Sequence, residues 1–161
     1  MDLLVLAGVW ISSVAFHEAG HVAGAFAQGL AIRSVRVACF ALARRSPGGA
    51  FGVSLVRWQG GGTTVIDARG RPRARRMLVF LLGGAAFNLL AVAAALWLHR
   101  REGGQLALAI GAVNAAMLVV NLLPAAGAAG NDGTLILRTL RIAAMRRRAA
   151  GRARASARAA S

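Results

Sequence analysis

Two histidines and a glutamate stand close together in the segment His17-Glu18-Ala19-Gly20-His21. On a helix, residues four positions apart lie one turn apart on the same face, so both imidazoles can bind one metal ion. Glu18 lies about 100° further round such a helix, where it can act as general base toward a water molecule on that metal. This spacing favours Zn²⁺. The alternative is a chance occurrence of the pattern in an ordinary helix.

The surroundings of this motif strengthen the metal interpretation. The motif lies within an apolar stretch that runs from Leu3 to Ile32. A charged group in hydrocarbon costs about 2.5–3.5 kcal/mol even on the more lenient insertion scale. A bound metal ion compensates for this cost, so the sequence predicts a metal site inside an apolar helix.

Three apolar segments reach or approach the length needed to cross a bilayer, at residues 3–32, 77–98 and 106–124. The chain has 161 residues, of which 57% are hydrophobic and 5 are acidic, and this length fits one domain. A soluble domain of this size is not expected to carry three such segments. The sequence therefore predicts an α-helical polytopic membrane protein with a three-helix core within residues 1–145.

The net charge of +15 is concentrated in two regions, Arg33 to Arg76 and Arg138 to Arg158. By the positive-inside rule, the long basic loop and the C-terminal tail are expected to face the cytoplasm. The N-terminus is then expected on the outer side of the cell membrane. Membrane lipid is the expected partner of the basic run at residues 69–76. Since topology accounts for the arginines, no nucleic-acid partner is expected. Thr134–Met145 is predicted to be an interfacial helix, and residues 146–161 a disordered Arg/Ala-rich cytoplasmic tail.

Residues 34–66, between the first two spans, have strand-like patterns. Ser34–Leu42 and Phe51–Trp58 are each predicted to be a strand, with a turn at residues 46–49 between them. Thr63–Ile66 is a candidate third strand. We expect a small β-hairpin or sheet attached to the membrane core. The alternative is a plain cytoplasmic loop.

A catalytic zinc site normally has three protein ligands and one open position, so the two histidines need a third partner. The only cysteine, Cys39, excludes a thiolate cluster. Four other candidates have positions or surroundings that disfavour them: Asp2, Asp67, His99 and Glu102. Asp132 follows the third span, which runs toward the same side as the histidine motif. Asp132 is therefore the favoured third ligand, and a simple turn residue before Gly133 is the alternative.

Together these motifs resemble the site-2 protease family of intramembrane zinc metalloproteases. The first family signature is His-Glu-x-Gly-His, the second is Asn-x-x-Pro leading to Asp-Gly, and a small residue and an asparagine lie on the span between them. The matching residues beyond the histidine motif are Ala25, Gly29, Gly84, Asn88, Asn121, Pro124, Asp132 and Gly133. The resemblance extends from residue 3 to about residue 137.

The resemblance implies a set of site residues. One Zn²⁺ ion would be bound by His17, His21 and Asp132, and Glu18 would activate the water molecule. Asn121 and Asn88 would help to hold the substrate backbone. For Asn88, a hydrogen bond between helices is an equal alternative.

The implied function is zinc-dependent hydrolysis of peptide bonds in or near the transmembrane segments of a protein substrate. The 34–66 element takes the place of the family's membrane-re-entrant β element, and an exposed edge could pair with an unwound substrate strand. Two alternatives remain open. One is a catalytically inactive protease-like scaffold in the membrane, and the other is a membrane protein that binds or transports divalent metal.

Overall fold

The structure, a computed structural model, describes residues 2–46, 49–57, 61–66, 73–124 and 130–159. These residues form four helices and a four-stranded sheet. The helices are α1 (Leu3–Ala27), α2 (Ala74–Glu102), α3 (Gln105–Leu122) and α4 (Asp132–Ala159). The strands are β1 (Ala31–Val37), β2 (Phe40–Arg44), β3 (Phe51–Leu55) and β4 (Gly61–Ile66).

Among the described residues, α1, α2 and α3 are long and apolar enough to cross a membrane, in agreement with the predicted spans. Large apolar side chains such as Leu90 and Val120 point outward, where lipid can cover them. The first span is shorter than predicted, because α1 ends at Ala27 and Gly29 has a φ of 63°. This left-handed conformation is typical of the glycine that follows a helix. The apolar stretch then continues into β1 and does not extend the helix.

Helices α1 and α2 are in backbone contact. A Cβ atom added to Gly20 would overlap the carbonyl oxygen of Gly83, and one added to Gly83 would overlap the carbonyl oxygen of Gly20. Small residues of this kind let two helices approach closely in lipid. This contact presses the histidine-bearing face of α1 against α2.

The strands form one antiparallel sheet in the order β3-β2-β1-β4, which confirms a β element in this region. The predicted strand Ser34–Leu42 is wrong in detail, because a hairpin divides it into β1 and β2. Val37 pairs with Phe40, and Ala38 between them has a φ of 54°. Such a two-residue turn needs backbone that glycine or asparagine normally supplies, so nothing local marked it. The second predicted strand ends at Leu55, and Trp58 lies outside the described residues.

Helix α4 is longer than the sequence suggested. The predicted interfacial helix at Thr134–Met145 and the expected disordered tail form one helix as far as Ala159, and residues 160–161 lie outside the described residues. Alanine and arginine both favour helical backbone, and they dominate this segment. The side chains of residues 146–158 are exposed, so helix propensity and not packing accounts for the extension.

A compact apolar cluster lies where the end of α1, the sheet and α2 meet. Its buried members are Ala25, Leu30, Ile32, Phe80 and Leu81. Ile136 of α4 packs against it. The cluster therefore connects α1, the sheet, α2 and α4.

Candidate metal centre

The side chains of His17, His21 and Asp132 converge between α1 and the start of α4. The two Nε2 atoms lie 3.1 Å apart, and Asp132 Oδ2 lies 3.2 Å from each of them. Around a tetrahedral zinc ion, ligand atoms at about 2.0–2.1 Å from the metal are about 3.3–3.4 Å from one another. The observed triangle is close to that size, so this group could hold a metal ion.

Both imidazoles are held by their second ring nitrogen. His21 Nδ1 lies 2.9 Å from the carbonyl oxygen of Phe80, to which it can only donate, so His21 Nε2 keeps its lone pair. His17 Nδ1 lies 3.0 Å from the amide nitrogen Nδ2 of Asn88. Since the nitrogen and oxygen of a carboxamide exchange places on a half-turn, Asn88 can accept a hydrogen bond from His17 in the same way. Metal-binding histidines are normally oriented by such partners.

The carboxylate of Asp132 supports the same interpretation. Its Oδ2 atom is buried and receives no hydrogen bond from the described part of the chain, although the Nε2 atoms of His17 and His21 lie 3.2 Å away. A buried acceptor without a donor is destabilising. A cation between the three side chains would stabilise the two imidazole lone pairs and the carboxylate oxygen. The donor set therefore fits a metal ion.

Gly84 of α2 leaves the space that the two imidazoles occupy. A Cβ atom at this position would lie 2.5 Å from His17 Cε1 and 2.6 Å from His21 Nε2. Real Cβ atoms essentially never approach other atoms so closely. A side chain here would have to displace both rings, so glycine is a requirement of the site.

We expect Gly84→Ala to lower the affinity for added Zn²⁺. Loss of a residue that hydrogen-bonds to a metal ligand lowers metal affinity by ~10–100-fold, and displacement of both imidazoles should lower it by at least as much. Competition against a chromophoric chelator measures this affinity. Gly8→Ala is the matched control, because a Cβ atom at Gly8 would meet nothing within 4 Å. Equal zinc affinity in the two variants would contradict the packing of Gly84 against the imidazoles.

Glu18 is buried beside the histidines, and β4 holds its carboxylate. Thr63 Oγ1 donates a hydrogen bond of 2.7 Å to Glu18 Oε2. Gly61, at the start of β4, lies against the other oxygen, since a Cβ atom there would be 2.5 Å from Oε1. From the sequence, Thr63 is predicted only to belong to a candidate strand. No local signal marks it, because its contact depends on the packing of β4 against α1.

Asn131 places Asp132 at the site. Its Oδ1 accepts hydrogen bonds from the backbone nitrogen and the hydroxyl of Thr134, at 3.1 and 3.0 Å, so it caps α4. Its Nδ2 donates to the carbonyl oxygens of Val120 and Leu123 at the end of α3. Asn131 therefore joins two helices at the residue before Asp132. Asparagine is common at helix starts, so Asn131 is a local sequence signal for the start of α4.

Gly133, on the other side of Asp132, allows α4 to begin close to α3. A Cβ atom at Gly133 would overlap the carbonyl oxygen of Leu122. The Asp-Gly pair in the sequence thus has a steric reason. Its glycine is needed where the first turn of α4 crosses the last turn of α3.

The other predicted residues lie in different positions. Asn88 is fully buried behind His17, which is the interhelical placement that the sequence analysis left open. Asn121 lies on the last turn of α3 and is partly exposed. The disfavoured candidates Asp2, His99 and Glu102 lie at helix ends away from this group, and Asp67 lies outside the described residues. Within the described ranges, His17, His21 and Asp132 form the one group of three such side chains able to hold a metal ion.

No protein-family model, curated protein or solved structure matches this chain. The functional interpretation therefore depends on the residues and geometry given above.

Proposed function

We propose that this protein is a zinc-dependent intramembrane endopeptidase of the site-2 protease type. Its substrate would be a membrane protein, cleaved within or beside a transmembrane segment. The observation that carries the proposal is the buried triangle of His17, His21 and Asp132 beside Glu18. Supporting it, three of the helices in the described residues are apolar enough to span a membrane.

Zinc is the metal that this donor set favours. Two imidazole nitrogens and one carboxylate oxygen form the three-ligand pattern of catalytic zinc sites, in which a fourth position stays open. When bound, zinc lowers the pKa of a water ligand to about 7 and polarises a carbonyl group. The single group of ligands in the described residues favours a fixed catalytic ion over transport, which needs successive sites along a path.

Glu18 serves as the general base and then as the general acid in this proposal. Thr63 donates to Oε2, so Oε1, against which Gly61 packs, is assigned as the oxygen that accepts a proton from the attacking water. The same carboxyl group then gives the proton to the leaving amine. A scaffold that only binds metal has no need of this held carboxylate.

The substrate would reach the site beside β4. Because β4 is at one end of the sheet order, one of its edges is not paired with another strand among the described residues. An extended substrate segment can add to such an edge through main-chain hydrogen bonds. Since Thr63 of β4 contacts Glu18, this pairing would bring substrate carbonyls close to the general base. A spanning helix must unwind locally before it can pair in this way.

The test uses the full chain in liposomes with a panel of single-span proteins that carry Pro, Gly or Asn in mid-span. We expect cleavage in or beside the span, identified by mass spectrometry of the products. Removal of metal with a chelator is expected to stop cleavage, and Zn²⁺ is expected to restore it to the wild type but not to His21→Ala. Cleavage that persists without metal would contradict the proposal, as would zinc-loaded protein that cleaves no member of the panel.

A further inference from the structure

A groove of about 820 Å³ lies between the first half of α4, the N-terminal part of α2 and β4. This α2–α4 groove lies in the ~300–1,000 Å³ range of small-molecule sites. Its floor is largely apolar and is formed by Met77, Phe80, Leu81, Leu135 and Ile142. A surface of this kind takes an apolar ligand or the apolar part of an amphiphile.

Arginines surround this apolar floor. Arg73 comes from the start of α2, and Arg138, Arg146 and Arg147 come from α4. All four side chains are exposed. None of the acidic residues in the described part of the chain, Asp2, Glu18, Glu102 and Asp132, lines the groove. The positive charge here is therefore not balanced within the groove by a described carboxylate.

The charged and apolar ends are ordered along the helices. Phe80 and Leu135 lie near the metal centre, because the Phe80 carbonyl accepts from His21 and Leu135 is three residues from Asp132. From Leu135 to Arg146 the helix advances eleven residues, or roughly 16 Å at about 1.5 Å each. The groove thus runs from Phe80 and Leu135, beside the membrane-spanning helices, to Arg73, Arg146 and Arg147, and Arg138 lines the part between them. A phospholipid has the same order of acyl chain and phosphate.

We propose that the α2–α4 groove binds one anionic phospholipid. Arg73, Arg146 and Arg147 take its phosphate through paired N–H groups, as guanidinium does in other phosphate sites. The parts of the acyl chains next to the headgroup lie over Met77, Phe80 and Ile142. Basic pockets between membrane helices on the cytoplasmic side bind anionic lipid headgroups in this manner, and the predicted orientation places the groove on that side. This inference does not depend on the proposed function.

The test is native mass spectrometry of the full chain in neutral detergent, titrated with phosphatidylglycerol or with phosphatidylcholine of the same acyl chains. We expect one phosphatidylglycerol to bind at least about tenfold more tightly than phosphatidylcholine. The triple variant Arg73→Gln, Arg146→Gln and Arg147→Gln is expected to lose this preference. Ile142→Trp, which fills the groove without a change of charge, is expected to weaken binding of both lipids.

The control is a triple variant with Arg141→Gln, Arg152→Gln and Arg154→Gln. It also removes three positive charges, but from positions that do not line the groove. We expect it to keep the preference. An equal loss in the control would show long-range attraction only and would overturn the proposal. Competition by glycerol 3-phosphate as strong as that by the lipid would show a phosphate site without an acyl-chain site. Tighter binding of a polyglutamate peptide would show an acidic-peptide site, and either result would also overturn the proposal.

Discussion

Glu18→Gln is expected to abolish peptide-bond hydrolysis while Zn²⁺ remains bound. A carboxamide has nearly the same shape as a carboxylate and can keep the hydrogen bond to Thr63, but it cannot accept the proton from water. General bases contribute about 10²–10⁴-fold to rate, so cleavage should fall by at least that factor. The measurements are product formation in liposomes and zinc content per chain in the same preparation.

Glu102→Gln is the matched control, since Glu102 is the last residue of α2 and is exposed. It should cleave at the wild-type rate. Near-normal cleavage by Glu18→Gln would show that another group is the base. Loss of zinc from Glu18→Gln would show that this carboxylate is a ligand, which the proposed role does not allow.

Asp132→Ala is expected to lose tightly bound zinc and, as a result, activity. The two imidazoles that remain would offer only nitrogen ligands from one helix turn, with no anionic partner. Loss of a residue that hydrogen-bonds to a metal ligand lowers metal affinity by ~10–100-fold. Loss of the ligand itself should lower the affinity by more than that. Metal analysis after dialysis against a weak chelator, with wild type in parallel, measures the effect.

Asp2→Ala serves as the control because Asp2 lies before α1 and is exposed. The cap residue Asn131 is unchanged in Asp132→Ala, so α4 should still start at the same place, and circular dichroism can check its helix content. If Asp132→Ala holds zinc as tightly as wild type, the third ligand is a different residue. The metal centre described above would then be incorrect.

The membrane-length helices could be predicted from sequence, because they depend on local composition, but the first was predicted to reach residue 32 and ends at Ala27. A run of apolar residues long enough to cross a bilayer marks a helix wherever it packs. Gly29 ends α1 by a backbone conformation that glycine adopts easily. The limits of α2 were less accurate, since Ala74–Glu102 extends past the apolar window of residues 77–98 at both ends. Arginine is a good helix former that a hydropathy pattern does not detect.

Two details of the site's surroundings could not be predicted in this way. The turn at Ala38 lies within a continuous alternating pattern and has none of the usual turn residues. The hydrogen bond between Thr63 and Glu18 joins residues that are far apart in the chain. Both depend on how the sheet packs and pairs, which a local pattern does not record.

The spacing of His17 and His21 follows from sequence alone, since any α-helix places residues four apart on one face. The helical period therefore predicts two imidazoles on one face of the helix, with the carboxylate of Glu18 beside them. Only the tertiary structure brings Asp132 Oδ2 to 3.2 Å from both rings. That approach requires a residue without a side chain at Gly84, beside the imidazoles, and at Gly133, beside the end of α3. It also requires the hydrogen bonds from Asn131 to carbonyl oxygens at the end of α3. These contacts join distant segments, so packing between helices determines them and helical periodicity does not.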